Sequence, residues 1–147
     1  MFKTDKTKAT GKLTVEIKDK QGNVKETREL ENLVVDDGLA FIASRMKDAT
    51  ATAMSHMAIG TGTVAAASGD SALGTEAARV ALTSTTVTTN AVAYVCSFAA
   101  GTGTGAITEA GILNAASTGT LLCRTVFSVV NKGASDSMTI TWTVTIS

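Results

Sequence analysis

The closing segment, Met138-Thr139-Ile140-Thr141-Trp142-Thr143-Val144-Thr145-Ile146-Ser147, alternates apolar and hydroxyl side chains without a break. Successive residues of a strand point to opposite sides of a sheet. Met138, Ile140, Trp142, Val144 and Ile146 therefore share one face, and the other face is Thr and Ser throughout. That face is neutral, β-favouring and compatible with water. The pattern is that of an antiparallel strand with one side in a core.

The same period recurs upstream. Leu13, Val15 and Ile17 alternate with Thr14, Glu16 and Lys18, and Asp19-Lys20-Gln21-Gly22-Asn23 supplies turn chemistry before a returning strand from Val24 to Leu30. The charges Lys25, Glu26, Arg28 and Glu29 on that return suit an exposed edge. One helix is expected over about residues 37–47. Asp36 or Asp37 would cap it, Leu39, Ile42, Ala43 and Met46 recur at helical spacing, and Arg45 and Lys47 fall near its C-terminal end. Further strands are expected from Met54 to Ile59, Ala106 to Asn114 and Thr120 to Val130, with Arg79–Thr88 and Ala91–Ala100 as a second hairpin-like pair. Between them runs a long small-residue stretch, Val64 to Ala78, of the length that is usually functional or held by a partner. The fold class that follows is mainly β: an antiparallel β-sandwich or jelly-roll-like domain of about eight strands with one short α-helix. Residues 1–10 are expected to form a flexible arm, and 11–147 a single domain.

A chain of 147 residues can bury roughly two thirds of its unfolded surface in one domain. Its 13 basic and 13 acidic side chains cancel, giving no electrostatic reason to expect nucleic acid or anionic membrane as a partner. Most charge lies before residue 49, and the rest is rich in Ala, Thr, Gly and Ser. Such a surface costs little to desolvate against other protein. No apolar run approaches a membrane span, and the charged start does not resemble a secretory leader. The expectation is a protein made in the cytoplasm.

Catalytic vocabulary is sparse. His56 is the single histidine, so no His-based metal cluster is expected, and a structural or surface role fits it best. Cys96 and Cys123 sit in separate apolar runs and are expected to be buried free thiols, although a disulfide stays open if their strands are neighbours. Gly60-Thr61-Gly62-Thr63 and Gly101-Thr102-Gly103-Thr104-Gly105 lack the ending and the strand-to-helix context of phosphate loops, and are expected to be flexible connections. Glu76, Arg79, Glu109 and Arg124 stand isolated among small neutral residues. They are expected to form buried or interfacial salt bridges, within or between subunits, rather than an acid–base pair. No cofactor, metal or enzymatic activity is expected.

Several segments together resemble small structural proteins of tailed bacteriophages. They are Glu31 to Leu39 with Ile42 to Arg45, Met57 to Thr63, Ala72 to Arg79, Thr108 to Asn114, Gly119 to Phe127 and the closing strand. The resemblance covers nearly everything from Gly11 onward, and the order of the segments is more specific than any one of them. It implies a virion protein without catalytic residues: either a head decoration (cement) protein or a tail-fibre, adaptor or tail-tip component. A chain of this length with no repetitive shaft is expected on the capsid surface rather than in a fibre. The implied partners are the major capsid protein and further copies of itself, as dimers or trimers, or other tail proteins in the alternative. The arm and the loop at 60–79 are expected to make much of the contact.

Overall fold

The computed structural model describes residues 5–47 and 51–147. Ten strands and one helix follow in the order β1 (Ala9–Lys18), β2 (Val24–Glu31), β3 (Leu33–Val34), α1 (Asp36–Ser44), β4 (His56–Gly60), β5 (Glu76–Ala81), β6 (Ser84–Thr88), β7 (Ala91–Phe98), β8 (Gly105–Leu113), β9 (Leu121–Lys132) and β10 (Ser137–Ile146). They form two five-stranded antiparallel sheets, ordered β2-β1-β10-β7-β6 (sheet A) and β3-β9-β8-β4-β5 (sheet B). None of the helices in the described residues is long and apolar enough to cross a membrane.

The alternation of the closing segment explains why β10 is the central strand of sheet A. Met138, Ile140, Trp142 and Val144 are buried, pairing with Ile17, Val15, Leu13 and Gly11 of β1 on one side and with Phe98, Cys96, Tyr94 and Val92 of β7 on the other. Facing them from sheet B are Met57 and Ile59 of β4, Ile107, Ala110 and Ile112 of β8, and the inward residues of β9. One core thus fills the space between two sheets, the arrangement of a sandwich. The β1–β2 hairpin also follows its turn chemistry. Asp19 Oδ1 accepts the backbone N–H groups of Gln21 and Asn23, and Gly22 takes φ +86°.

Several elements differ from expectation. Ala9 and Thr10 belong to β1, and Lys8 exchanges backbone hydrogen bonds with Ser147, so the inner end of the expected arm is part of the sheet. Residues 1–4 of that arm lie outside the described residues. The run Arg79–Thr88 is not one strand of a hairpin. It is divided between β5, paired to β4 in sheet B, and β6, paired to β7 in sheet A. The chain changes sheets at Leu82 and Thr83, whose N–H groups donate to Ser55 O and Val95 O.

The helix also turns a different side to the protein. Val35 takes the N-cap position and no side chain caps it, so Asp36 and Asp37 sit in the first turn instead. Leu39 and Met46, expected to face the core, are 46% and 86% exposed, while Gly38 is buried. The reason is a backbone approach: a Cβ at Gly38 would collide with the carbonyl oxygen of Leu122. Contact with β9 therefore centres on Gly38, and the row that turns inward is Phe41 and Ile42. Arg45 lies beyond the last helical turn with its guanidinium 5.6 Å from the Phe41 ring centre.

Candidate functional site

The long segment between β4 and β5, residues 61–75, has no strand or helix of its own. It covers the outer face of sheet B, the side opposite the main core. Leu73 is buried there with Val35, Ala58, Leu113 and Leu121 in a second small apolar cluster. Its attachment is mainly polar and converges on one carboxylate. Glu109 Oε2 accepts the N–H groups of Gly62 and Thr75, both at 2.7 Å. Oε1 accepts Gly74 N–H at 2.7 Å and two donors of Arg124, Nη2 at 3.0 Å and Nε at 3.2 Å. Arg124 then donates from Nη1 to Asp70 Oδ2 at 2.7 Å and from Nη2 to Val64 O at 3.0 Å. Thr108 Oγ1 adds a bond to Gly62 O.

The pair Glu109 and Arg124 is almost wholly out of water, with side chains 0% and 3% exposed. Antiparallel pairing of β8 and β9 makes this possible by setting Gly111 opposite Arg124 and Glu109 opposite Val126. Burial pushes the Glu109 carboxyl up, but the N–H groups of Thr75 and Gly74, Arg124 and Gly62 N–H together hold it below its ordinary value. Burial likewise opposes the charge on Arg124, and Asp70 and Glu109 outweigh it in raising that group. The Gly-Thr-Gly segment is therefore not a flexible connection. A Cβ at Gly62 would strike the Glu109 carboxylate, and one at Gly60 would strike Thr75 O.

The other two charges singled out from the sequence, Glu76 and Arg79, also pair within the chain. Arg79 Nη2 is 2.7 Å from Glu76 Oε1, and Arg79 Nη1 donates to the carbonyls of Ala115 and Thr118, fastening the turn after β8. Both isolated arginines thus act as loop anchors, Arg79 joining one carboxylate to two backbone carbonyls and Arg124 joining two carboxylates to one, as a planar five-donor group can. Sequence reasoning found these four residues but missed Asp70, which stands in a polar loop with no periodic signal. It also missed Lys132, 1% exposed, whose Nζ donates to Ala99 O and Asp136 O and so ties two turns together at the far end of β9.

Other chemistry-bearing residues are dispersed. Cys96 and Cys123 are free and buried, on β7 of sheet A and β9 of sheet B. Burial pushes the Cys96 thiol up to about 12 and raises Cys123 as well, so neither is a poised thiolate. Ser55 Oγ lies 2.8 Å from His56 Nδ1 on a strand of sheet B. Among the described residues no group of three His, Cys, Asp or Glu side chains could hold a metal ion. An apolar groove of about 350 Å³ opens between α1 and sheet A, lined by Phe41, Ile42, Thr85, Val87, Val92 and Tyr94 among others. Burial raises the Tyr94 phenol to about 12, which keeps it protonated at neutral pH.

No protein-family model, curated protein or solved structure matches this chain. What the geometry offers is a long loop of mostly small neutral residues, fastened to sheet B by a buried ion pair, and a separate apolar groove between α1 and sheet A.

Proposed function

We propose that this chain is a structural protein of a tailed-bacteriophage virion, a head decoration (cement) protein lying across joints between capsomers. The observation that carries the reading is loop 61–75. Thr63, Val64, Ala65, Ser68 and Gly69 are exposed on it, while its two ends are held by the Glu109 carboxylate. A surface ordered before it meets its partner loses little conformational entropy on binding. Small neutral side chains add little desolvation cost. These are properties of a contact surface for another protein, and the resemblance of the sequence to phage structural proteins supplies the context.

The mechanism is mechanical. A protein that binds the mature shell and not its disassembled subunits stabilises the shell by linkage. Many weak contacts in one lattice then act together. The partners are the major capsid protein and neighbouring copies of this chain. The reading is tested by purifying virions, separating heads from tails, and quantifying this chain against the major capsid protein by mass spectrometry. Hundreds of copies in the head fraction support it. A few copies travelling with tails overturn it in favour of a fibre, adaptor or tip subunit.

A further inference from the structure

A sandwich has four sheet edges, and each exposes backbone groups that a foreign strand can pair with unless something prevents it. Three edges here are guarded. The edge strand β2 carries Lys25, Glu26, Arg28, Glu29 and Glu31, and its pairing with β1 is interrupted by a register shift at Ile17 and Lys18. On the other sheet β3 is only two residues long. The remaining edge of that sheet, β5, carries the Glu76–Arg79 ion pair and a register shift opposite Ile59 and Gly60. Among the described residues the fourth edge has no such device. In β6, Ser84-Thr85-Thr86-Val87-Thr88, every residue is exposed and none is charged, and its pairing with β7 runs without a shift.

This strand is also held ready. The β6–β7 turn contains Thr89 at φ +50°, and the next residue, Asn90, donates from Nδ2 to Ile146 O while accepting Ile146 N–H. Thr85 and Val87 stand opposite Tyr94 and Val92, so they share the inner face and form a lip of the apolar groove. Val87 is 72% exposed there.

We propose that β6 is a self-association edge, at which two copies of the chain pair antiparallel about a two-fold axis through Thr86. The sequence of the strand is complementary to itself in that register. Thr86 meets Thr86, Thr85 meets Val87, and Ser84 meets Thr88, so hydroxyl pairs lie on one face and Thr–Val pairs on the other. No like charges meet, whereas the same operation at β2 would crowd carboxylates and cations along a charged strand. The two-fold contact is isologous and closes at two copies. Each five-stranded sheet A continues into that of its neighbour, and the two groove lips meet with Val87 of each copy against Thr85 of the other. The proposal rests on strand chemistry and stands apart from the virion reading.

Sedimentation equilibrium of the full chain from about 1 to 500 μM tests it. The native chain is expected to pass from monomer to dimer in that range. Thr86→Lys places two ammonium groups face to face on the axis and is expected to weaken the dimer about tenfold or more. Because Thr86 is exposed, the variant should keep the native circular dichroism and, at concentrations where both chains are monomeric, the native melting temperature. An equimolar mixture of Thr86→Lys and Thr86→Glu is expected to restore a dimer containing one of each. A native chain that stays monomeric to the highest concentration overturns the proposal, as does assembly into trimers. So does a Thr86→Lys dimer of unchanged strength, or a charge-swapped mixture that fails to associate.

Discussion

Glu109 shows how little of a buried charge's role can be assigned to its formal partner. Arg124 neutralises it, but three backbone N–H groups from two separate parts of the loop also end on its oxygens. Replacing Arg124 with Met leaves that carboxylate buried without its cation and is expected to cost about 3–5 kcal/mol in urea denaturation. Glu109→Gln keeps one acceptor oxygen and turns the other position into a donor facing N–H groups, at an expected cost of about 1–3 kcal/mol. Since the two residues belong to one network, the double variant should cost less than the sum of the singles. Strict additivity would mean that the pair does not act as a unit. The four isolated charges were visible in the sequence because they interrupt long neutral runs. Their partners in the loop were not, since a carboxylate that binds backbone leaves no mark on the residues whose N–H groups it accepts.

At the scale of elements, α1 illustrates a case where local pattern and tertiary contact disagree. Exchanging a helical glycine for alanine ordinarily stabilises a helix by about 0.5–1 kcal/mol. Here the added methyl would meet the Leu122 backbone, which cannot swing aside as a side chain can. Gly38→Ala is therefore expected to destabilise by about 1–3 kcal/mol in the same denaturation assay. A variant as stable as the native chain would show that α1 lifts from β9 freely. The helix was legible from its spacing, but its buried side was not: Leu39, Ile42, Ala43 and Met46 make a plausible stripe, and only the strand beneath Gly38 selects another. Strand existence read well for the same reason in β1 and β10, where alternation is strict. Over Arg79–Thr88 the strand character and the pairing of its second half with β7 were legible, but the break between β5 and β6 was not, because a strand that leaves one sheet and enters the other after two residues keeps its β-favouring composition throughout.

For the molecule as a whole, buried ionisable groups set a window of pH. Asp70 is held below its ordinary value by Ala67 N–H and, against the opposing effect of burial, by Arg124. Asp136 is held down by the Lys25 ammonium and by Gly133 N–H. Glu109 shifts the same way on balance. Carboxyls depressed in the folded state contribute stability that is complete above their unfolded values and is lost as pH falls through the folded ones. Tyr94 and Cys96 are raised instead, so what they contribute is present below their unfolded values and is lost as pH rises through the folded ones. Melting temperature is thus expected to be flat between about pH 5 and 8, to fall below about pH 4, and to fall again above about pH 9. Thermal scans across that range check it, and an acid limb that is equally steep in Glu109→Gln would remove that carboxylate from the account. The anchoring of loop 61–75 has a wider consequence. Because Gly62 at one end and Gly74 with Thr75 at the other close on the same carboxylate, the chain between them is a handle riveted at its base. Gly69, near its middle, has open space where a side chain would stand. A side chain added at Gly69 would therefore change the handle's outer face and leave its fastenings at Val64, Asp70 and Leu73, and the register of the sheets beneath, as they are.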